Sequence, residues 1–310
     1  MKPILLLMTF IIFTLNSVPS WALGKLGHQL VCQLSYDLLS TTEQQQLDDL
    51  LAKIPKQHQQ SINKYNRNDV NEKISFAKSC LWADAIKRDD SFSSFKKWHY
   101  INVSRKSLEI QDNNCQKNCI TYAIKHHKNQ LSADNSQINR VMALMFLGHW
   151  LGDIHQPLHV SFASDWGGNK NKVIPAVGEC ENLHWYWDEC LLYPLTKIGT
   201  KTSSKDEQNK AKFDNDKFKT ELYKSLSQQL TNAPIKQWQQ STVRDWANES
   251  LQLVREHSFN YCQLDGNHCI STEDKKITLN KDYHQQYQEV LQQRILQAAV
   301  RLSHVLSTTL

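Results

Sequence analysis

Two pairs of residues carry the first chemical signal. His149 and Asp153 lie four apart in Phe146-Leu147-Gly148-His149-Trp150-Leu151-Gly152-Asp153-Ile154-His155-Gln156-Pro157-Leu158-His159. His184 and Asp188 repeat that spacing in Asn182-Leu183-His184-Trp185-Tyr186-Trp187-Asp188. Residues i and i+4 share a helix face, so each pair aims an imidazole and a carboxylate at one point. Such a pair binds a hard or borderline cation. Gly148 and Gly152 bracket the first pair and leave room for a cluster; Pro157 ends the helix and leaves His159 in the turn beyond. An unpaired Asp153 carboxylate in so apolar a helix is costly, and a bound cation removes that cost. A His–Asp hydrogen bond in a core explains either pair alone, but explains two such pairs much less well.

Three more candidates stand on apolar or aromatic backgrounds: Asp84 in Leu81-Trp82-Ala83-Asp84, His99 in Trp98-His99-Tyr100-Ile101-Asn102, and His28 after Gly24-Lys25-Leu26-Gly27. With His149, Asp153, His159, His184 and Asp188 they exceed what one tetrahedral zinc needs and suit two or three metals. Clustered Lewis acids with nitrogen and oxygen ligands favour phosphoester hydrolysis. His126 and His127 precede Lys128 on a polar segment and read as surface; His58, His257, His268, His284 and His304 have no partner spacing.

The elements that must position these residues read as helices. Apolar positions at helical spacing predict helices over 26–39, 76–86, 139–154, 183–192, 213–230, 235–257 and 279–307. Thr41-Thr42-Glu43 predicts the cap of another, running to about Ala52. The stretch 139–154 reads as a buried central helix. Extended signals are short, at 98–103 and 171–175. The polar run 196–216 reads as a solvated loop or insertion. The expected fold class is therefore all-α, mainly helical with minor short β segments.

The chain has 310 residues, 40% of them apolar and 22% charged, a globular composition. Nine glycines and seven prolines are too few for a turn-dense β sandwich or a glycine-cradled nucleotide fold. The net charge of +5 is too weak to assign nucleic acid by itself, and 13 histidines are a compositional hint of metal chemistry. Residues 1–22 read as a secretory signal: Lys2, an apolar run from Ile4 to Leu15, and Ser20-Trp21-Ala22 before the cut. The run is too short to favour a membrane span, which needs ~20 residues, and no stable anchor is expected. Eight cysteines in an exported chain suggest disulfides. Cys115–Cys119, Cys180–Cys190 and Cys262–Cys269 are close enough in sequence to close small loops, leaving Cys32 with Cys80 as one pairing among many.

The ordered motifs G-x-x-G-H at 24–28, W-A-D at 82–84, H-Y-I-N at 99–102, H-x-x-G-D-I-H-Q-P-L-H at 149–159, G-G-N at 167–169 and N-L-H-x-x-W-D at 182–188 resemble the S-one/P-one type nucleases, secreted zinc-dependent enzymes specific for single strands. The resemblance implies one large helical domain over 23–310 around three zinc ions. It implies that Asp84, His99, His149 and Asp153 hold one zinc. Asp153, His28 and the α-amino and carbonyl groups of mature residue one, Leu23, hold its close neighbour, and His159, His184 and Asp188 hold the third. Asp153 is then the metal-bridging residue, and a metal-bound hydroxide the nucleophile. Lys87 and Tyr100 fall where the family has polar and base-stacking substrate contacts. Leu23 stands where the family usually has Trp, which backbone ligation tolerates. The implied activity is a secreted or periplasmic endonuclease cutting single-stranded DNA and RNA to 5′-phosphorylated products, with 3′-mononucleotides as further substrates and no obligate protein partner. Rival readings are a zinc-dependent phospholipase C of the same superfamily and a non-catalytic exported zinc-binding protein.

Overall fold

The computed structural model describes residues 23–132, 136–196, 213–272 and 275–310. The signal reading and most of the polar run at 196–216 lie outside these. Helices dominate, and the organising one is α7 (Gln137–His155), capped at its start by Ser136, whose Oγ accepts from Asn139 N–H. From Ala143 to His155 every residue of α7 is buried, so this part of the helix has no solvent face. A helix apolar all round must be covered on every side. The cover comes from α1 (Lys25–Asp37), α6 (Ile120–Ser132), α11 (Val243–Arg255) and α12 (Lys281–Ser307). Around them stand α2 (Thr41–Leu51), α3 (Lys56–Asn66), α8 (Leu183–Asp188) and α9 (Asn215–Leu230).

Strands are few and short among the described residues. β1 (Ile101–Val103) pairs in parallel with β2 (Val160–Phe162), with Ile101 opposite Val160. That register sets Tyr100 beside His159, one step before each strand. β3 (Val173–Ile174) pairs in parallel with β6 (Ile277–Thr278), and β4 (Cys262–Asp265) with β5 (His268–Ser271) forms a hairpin. The mainly helical expectation stands.

Several boundaries differ from the sequence reading, each for a local reason. Ser40, not the Thr pair, caps α2: its Oγ accepts from Glu43 N–H and Glu43 Oε2 accepts from Ser40 N–H, a capping box. The helix expected over 76–86 is two short ones, α4 (Phe76–Ser79) and α5 (Trp82–Ala85), separated where Cys80 is bonded to Cys32. The helix expected over 235–257 breaks into α10 (Ile235–Gln239) and α11, because Thr242 and Asp245 form a capping box that starts a new helix. The helix α8 ends at Asp188, and a short 3-10 turn, Cys190–Leu192, replaces its expected end. Helices α3 and α6 and the β4–β5 hairpin were not expected: α3 is rich in Gln, Asn and Lys, and α6 carries the paired histidines. His127 is buried rather than on the surface, its Nδ1 accepting from Trp150 Nε1–H at 3.0 Å; burial pulls its pKa down to about 3. The four cysteine pairs of the sequence reading are all present, Cys32–Cys80 among them.

The C-terminal end of α7 is held by charge. Arg294 donates to the His155 carbonyl at 3.1 Å, and Arg301 lies 2.7 Å from His155 Nε2. Both arginines share Glu249 of α11, at 2.5 and 2.6 Å. Burial, then these two cations, holds the His155 pKa well below its ordinary value, so the ring is neutral and accepts. Glu249→Gln leaves two nearly buried guanidiniums without a counter-charge. Removing one partner of such a network costs about 3–5 kcal/mol. Urea denaturation should show a loss of that order; a loss below about 1 kcal/mol would mean the network does not support α7.

Candidate metal centre

α7 carries His149 and Asp153 one above the other, and the neighbouring elements bring the rest. His28 comes from α1, Asp84 from α5, His99 from the turn before β1, His159 from the turn after α7, and His184 and Asp188 from α8. All eight come together as three sets with ligand atoms mutually in reach: His28, His149 and Asp153; Asp84, His99 and His149; His159, His184 and Asp188.

Asp153 is central, with no exposure to solvent. Its two oxygens face different partners. Oδ1 is 3.2 Å from His28 Nε2 and 3.8 Å from His159 Nδ1, whereas Oδ2 is 2.9 Å from His99 Nδ1 and 3.3 Å from His149 Nε2. The His28 and His149 rings stack with centroids 3.8 Å apart. Asp84 Oδ1 lies 3.9 Å from His149 Nε2 and 3.7 Å from Lys87 Nζ. In the third set, Asp188 Oδ1 is 3.7 Å from His159 Nε2 and Oδ2 is 3.3 Å from His184 Nε2.

The rings are aimed from behind by backbone carbonyls. His149 Nδ1 is 2.8 Å from the Cys80 carbonyl, His159 Nδ1 2.7 Å from that of His99, and His184 Nδ1 2.7 Å from that of Gly167. A carbonyl only accepts, so each Nδ1 carries the proton and each Nε2 presents a lone pair inward, the arrangement metal-binding histidines use. Gln156 Nε2–H donates to Asp188 Oδ1 at 2.5 Å, while its Oε1 accepts from Leu158 N–H. Tyr65 OH donates to Asp84 Oδ2 at 3.4 Å. Sequence reading missed Tyr65 and the carbonyl of Cys80, which no spacing rule marks; Gln156 stood inside the motif without an assigned role.

The fit to cations shows in what is left over. His28 Nε2, Asp84 Oδ1, Asp153 Oδ1, His159 Nε2, His184 Nε2 and Asp188 Oδ2 are buried and make no hydrogen bond. Buried polar atoms without partners are rare because they are costly, and here they converge. The charges agree. Burial works against ionised Asp153, yet His149 and His159 hold its carboxyl well below the usual range. Burial would also lower His159, but Asp153 and Asp188 raise it to about 9; His149 is likewise raised by Asp153 and Asp84. Burial lowers His28 and His184, and lowers His99 to about 3. The carboxylates thus favour positive charge at the centre of the site, as the raised pKa of His149 and His159 reflects.

Two glycines are needed for the approach. A Cβ on Gly152 would stand 2.5 Å from His28 Nδ1, and one on Gly148 would stand 2.2 Å from Cys80 Sγ. Gly152 therefore admits His28, and Gly148 admits the Cys32–Cys80 bond, which lies one residue before His149. Leu23 is buried, its side chain against Gly27 and 3.4 Å from the Gly152 Cβ position. Tyr100 is half-buried, with its hydroxyl pKa raised by burial. Beside Asp188 and Gly24 opens a cleft of about 560 Å³ with Lys25, Arg67, Lys78 and Lys219 on its lining.

The family described as S1/P1 Nuclease matches residues 23–310. Endonuclease 2 of Arabidopsis thaliana is 26% identical over 320 residues, covering 98% of this chain and 95% of its own length. Nuclease S1 of Aspergillus oryzae is 25% identical over 286 residues, covering 90% of this chain and 89% of its own. Endonuclease 3 of Arabidopsis thaliana is 32% identical over 185 residues, covering 57% of this chain and 56% of its own.

Gly152→Ala tests the packing of the cluster. Alanine is the better helix former by roughly 0.8–1 kcal/mol, so α7 should persist. Its methyl must displace the His28 ring, so metal bound per chain, read by elemental analysis, should fall while far-ultraviolet dichroism is unchanged. Unaltered metal content would show that His28 is not held against Gly152.

Proposed function

Since the chain belongs to the S1/P1 nuclease family, we propose that it is an exported, three-zinc endonuclease. It hydrolyses single-stranded DNA and RNA to 5′-phosphorylated products and takes 3′-mononucleotides as further substrates. The observation that carries this reading is the division of Asp153: one carboxylate oxygen turns to His28 and the other to His99 and His149, as a group shared between two adjacent cations requires.

In this reading Asp84, His99, His149 and Asp153 hold one zinc. Asp153 and His28 hold a second, together with the α-amine and carbonyl of Leu23 after a cut behind Ala22, and His159, His184 and Asp188 hold the third. When bound, the zincs make water acidic enough to attack near neutral pH and neutralise charge on the phosphate and leaving oxygen. The protein's own groups orient and select. Gln156 fixes the Asp188 carboxylate, and the carbonyls of Cys80, His99 and Gly167 fix the His149, His159 and His184 rings. Lys87, beside Asp84, contributes positive charge where a phosphate would enter. Tyr100 offers a ring to a splayed base, which a duplex cannot present without unstacking. The lysines and arginine of the cleft beside Asp188 suit a polyanion. Export is supported by four paired disulfides, which form in oxidising compartments. Among the described residues no helix is long and apolar enough to cross a membrane. The domain is taken to run over 23–310.

Elemental analysis of protein matured by export should give three zincs per chain, and one or fewer would defeat the cluster. The same preparation should cut single strands much faster than duplex and leave a phosphatidylcholine headgroup intact; the reverse preference would favour a phospholipase. Asp153→Asn should lower turnover by more than the roughly hundredfold that losing an outer hydrogen-bond partner costs, with reduced zinc content. Near-normal turnover would remove Asp153 from the centre. Amino-terminal sequencing should begin at Leu23, and an active enzyme beginning elsewhere would refute ligation by its amine.

A further inference from the structure

The cleft lined by Lys25, Arg67, Lys78 and Lys219 borders two of the three ligand sets. Asp188 of the third set stands in its wall. Lys25 Nζ lies 4.2 Å from the centre of the Tyr65 ring and donates to the Tyr65 carbonyl at 2.6 Å, and Tyr65 OH donates to Asp84. Neither Tyr100 nor Lys87 belongs to the lining, so this surface is distinct from the one that faces a base. Two carboxylates also line the cleft, and both are engaged: Asp188 by His184 and Gln156, and Glu189 by Trp185 Nε1–H at 3.2 Å. Lys78 pairs with Glu72 outside the lining, and Lys219 with Asp216 at 3.6 Å. Arg67 is exposed and closes α3 at φ +62°, its N–H bonded to the Asn63 and Lys64 carbonyls. Glycine or asparagine takes that conformation at less cost, so the turn alone does not call for arginine. Four cations on one concave wall against two engaged carboxylates leave a positive field, which the low-dielectric walls focus.

We propose that this cleft carries the phosphates of the strand on the 3′ side of the bond being cut, with Arg67 and Lys219 at its exposed lip. The proposal rests on the nuclease reading above and deepens it by giving the released strand a direction. In that reading water adds to phosphorus, the P–O3′ bond breaks, and the 3′ oxygen takes a proton. The phosphate stays on the 5′ oxygen of the downstream strand. A 3′-mononucleotide is also a substrate there, and its phosphate carries no further chain. The centre therefore holds the nucleoside whose 3′ oxygen departs, and the downstream strand needs a separate path from the same phosphorus. The cleft supplies one that starts at Asp84 and Asp188 and is cationic along its length. Its attraction is for phosphate charge and is indifferent to base identity.

The test compares zinc-loaded wild type with the Arg67→Ala/Lys219→Ala double variant, both positions being exposed. The substrates are thymidine 3′-monophosphate and three ten-residue oligothymidylates. One strand has phosphodiesters throughout. The others carry uncharged methylphosphonates at every linkage on the 3′ side, or at every linkage on the 5′ side, of a central phosphodiester. The readout is kcat/KM for cutting that central bond. Neutralising the 3′ side should lower the wild-type value about tenfold, and neutralising the 5′ side should change it less than about twofold. The double variant should lose about tenfold on the fully charged strand, ignore neutralisation of the 3′ side, and match wild type on the mononucleotide. A wild type indifferent to charge on the 3′ side overturns the proposal, as does a larger effect from the 5′ side. An equal loss by the double variant on strand and mononucleotide also overturns it. A wild type that cuts no oligonucleotide defeats the nuclease reading instead. The cleft is then decided by fluorescence anisotropy of the labelled, fully charged strand: tighter binding to wild type than to the double variant supports the proposal, and equal binding refutes it.

Discussion

A carboxylate with no access to water, set in the fully buried part of α7, is the constraint on which the rest of the molecule depends. Asp153 has lost its hydration completely, and in an apolar interior that loss amounts to several kcal/mol unless positive charge replaces the water. Every nearby element can be read as an answer to that deficit. α1 brings His28, the turn before β1 brings His99, α7 itself brings His149, and the turn after it brings His159. Neutral imidazoles are not enough. Asp153, with Asp84 and Asp188, raises the pKa of His149 and His159, so the site favours positive charge.

The backbone supplies the precision. Carbonyls from three separate segments, at Cys80, His99 and Gly167, each hold one Nδ1 and leave Nε2 facing inward. Each is positioned by something rigid: a disulfide at Cys80, the start of the β1–β2 pair at His99, and the anchored loop at Gly167. One of the three short strand pairs among the described residues, β1–β2, therefore lies at the centre. The β1–β2 register brings His99 and His159 together from segments sixty residues apart.

What could be read in the sequence was whatever obeys a period. His149 with Asp153 and His184 with Asp188 announce themselves by helical spacing, and the apolar run around the first pair marks α7 as central. His28, Asp84 and His99 have no such spacing; only the order of short motifs linked them, and the geometry brings them to one place. The periodic signal failed where a local bond outranked it. The capping box at Thr242 breaks a continuous amphipathic pattern, and the tie at Cys80 divides another. His127 looked like surface because its neighbours are polar, yet it accepts from Trp150 in the core. The Arg294–Arg301–Glu249 network was illegible, since nothing in a linear chain says that charges from α11 and α12 meet the end of α7.

That network also orders events in time. All eight side chains of the candidate centre are encoded between His28 and Asp188, but the end of α7 is fastened by residues made far later. Ser250 donates to the Ile154 carbonyl, Arg294 to that of His155, and Arg301 reaches the His155 ring. A growing chain is synthesised from its amino end, so the turn carrying Asp153 has the Ser250 strut of α11 but neither arginine strut while α12 is still being translated. The ligands exist early and their fastening arrives last. A chain interrupted before α12 retains every candidate ligand and lacks the clamp beneath the residue they share.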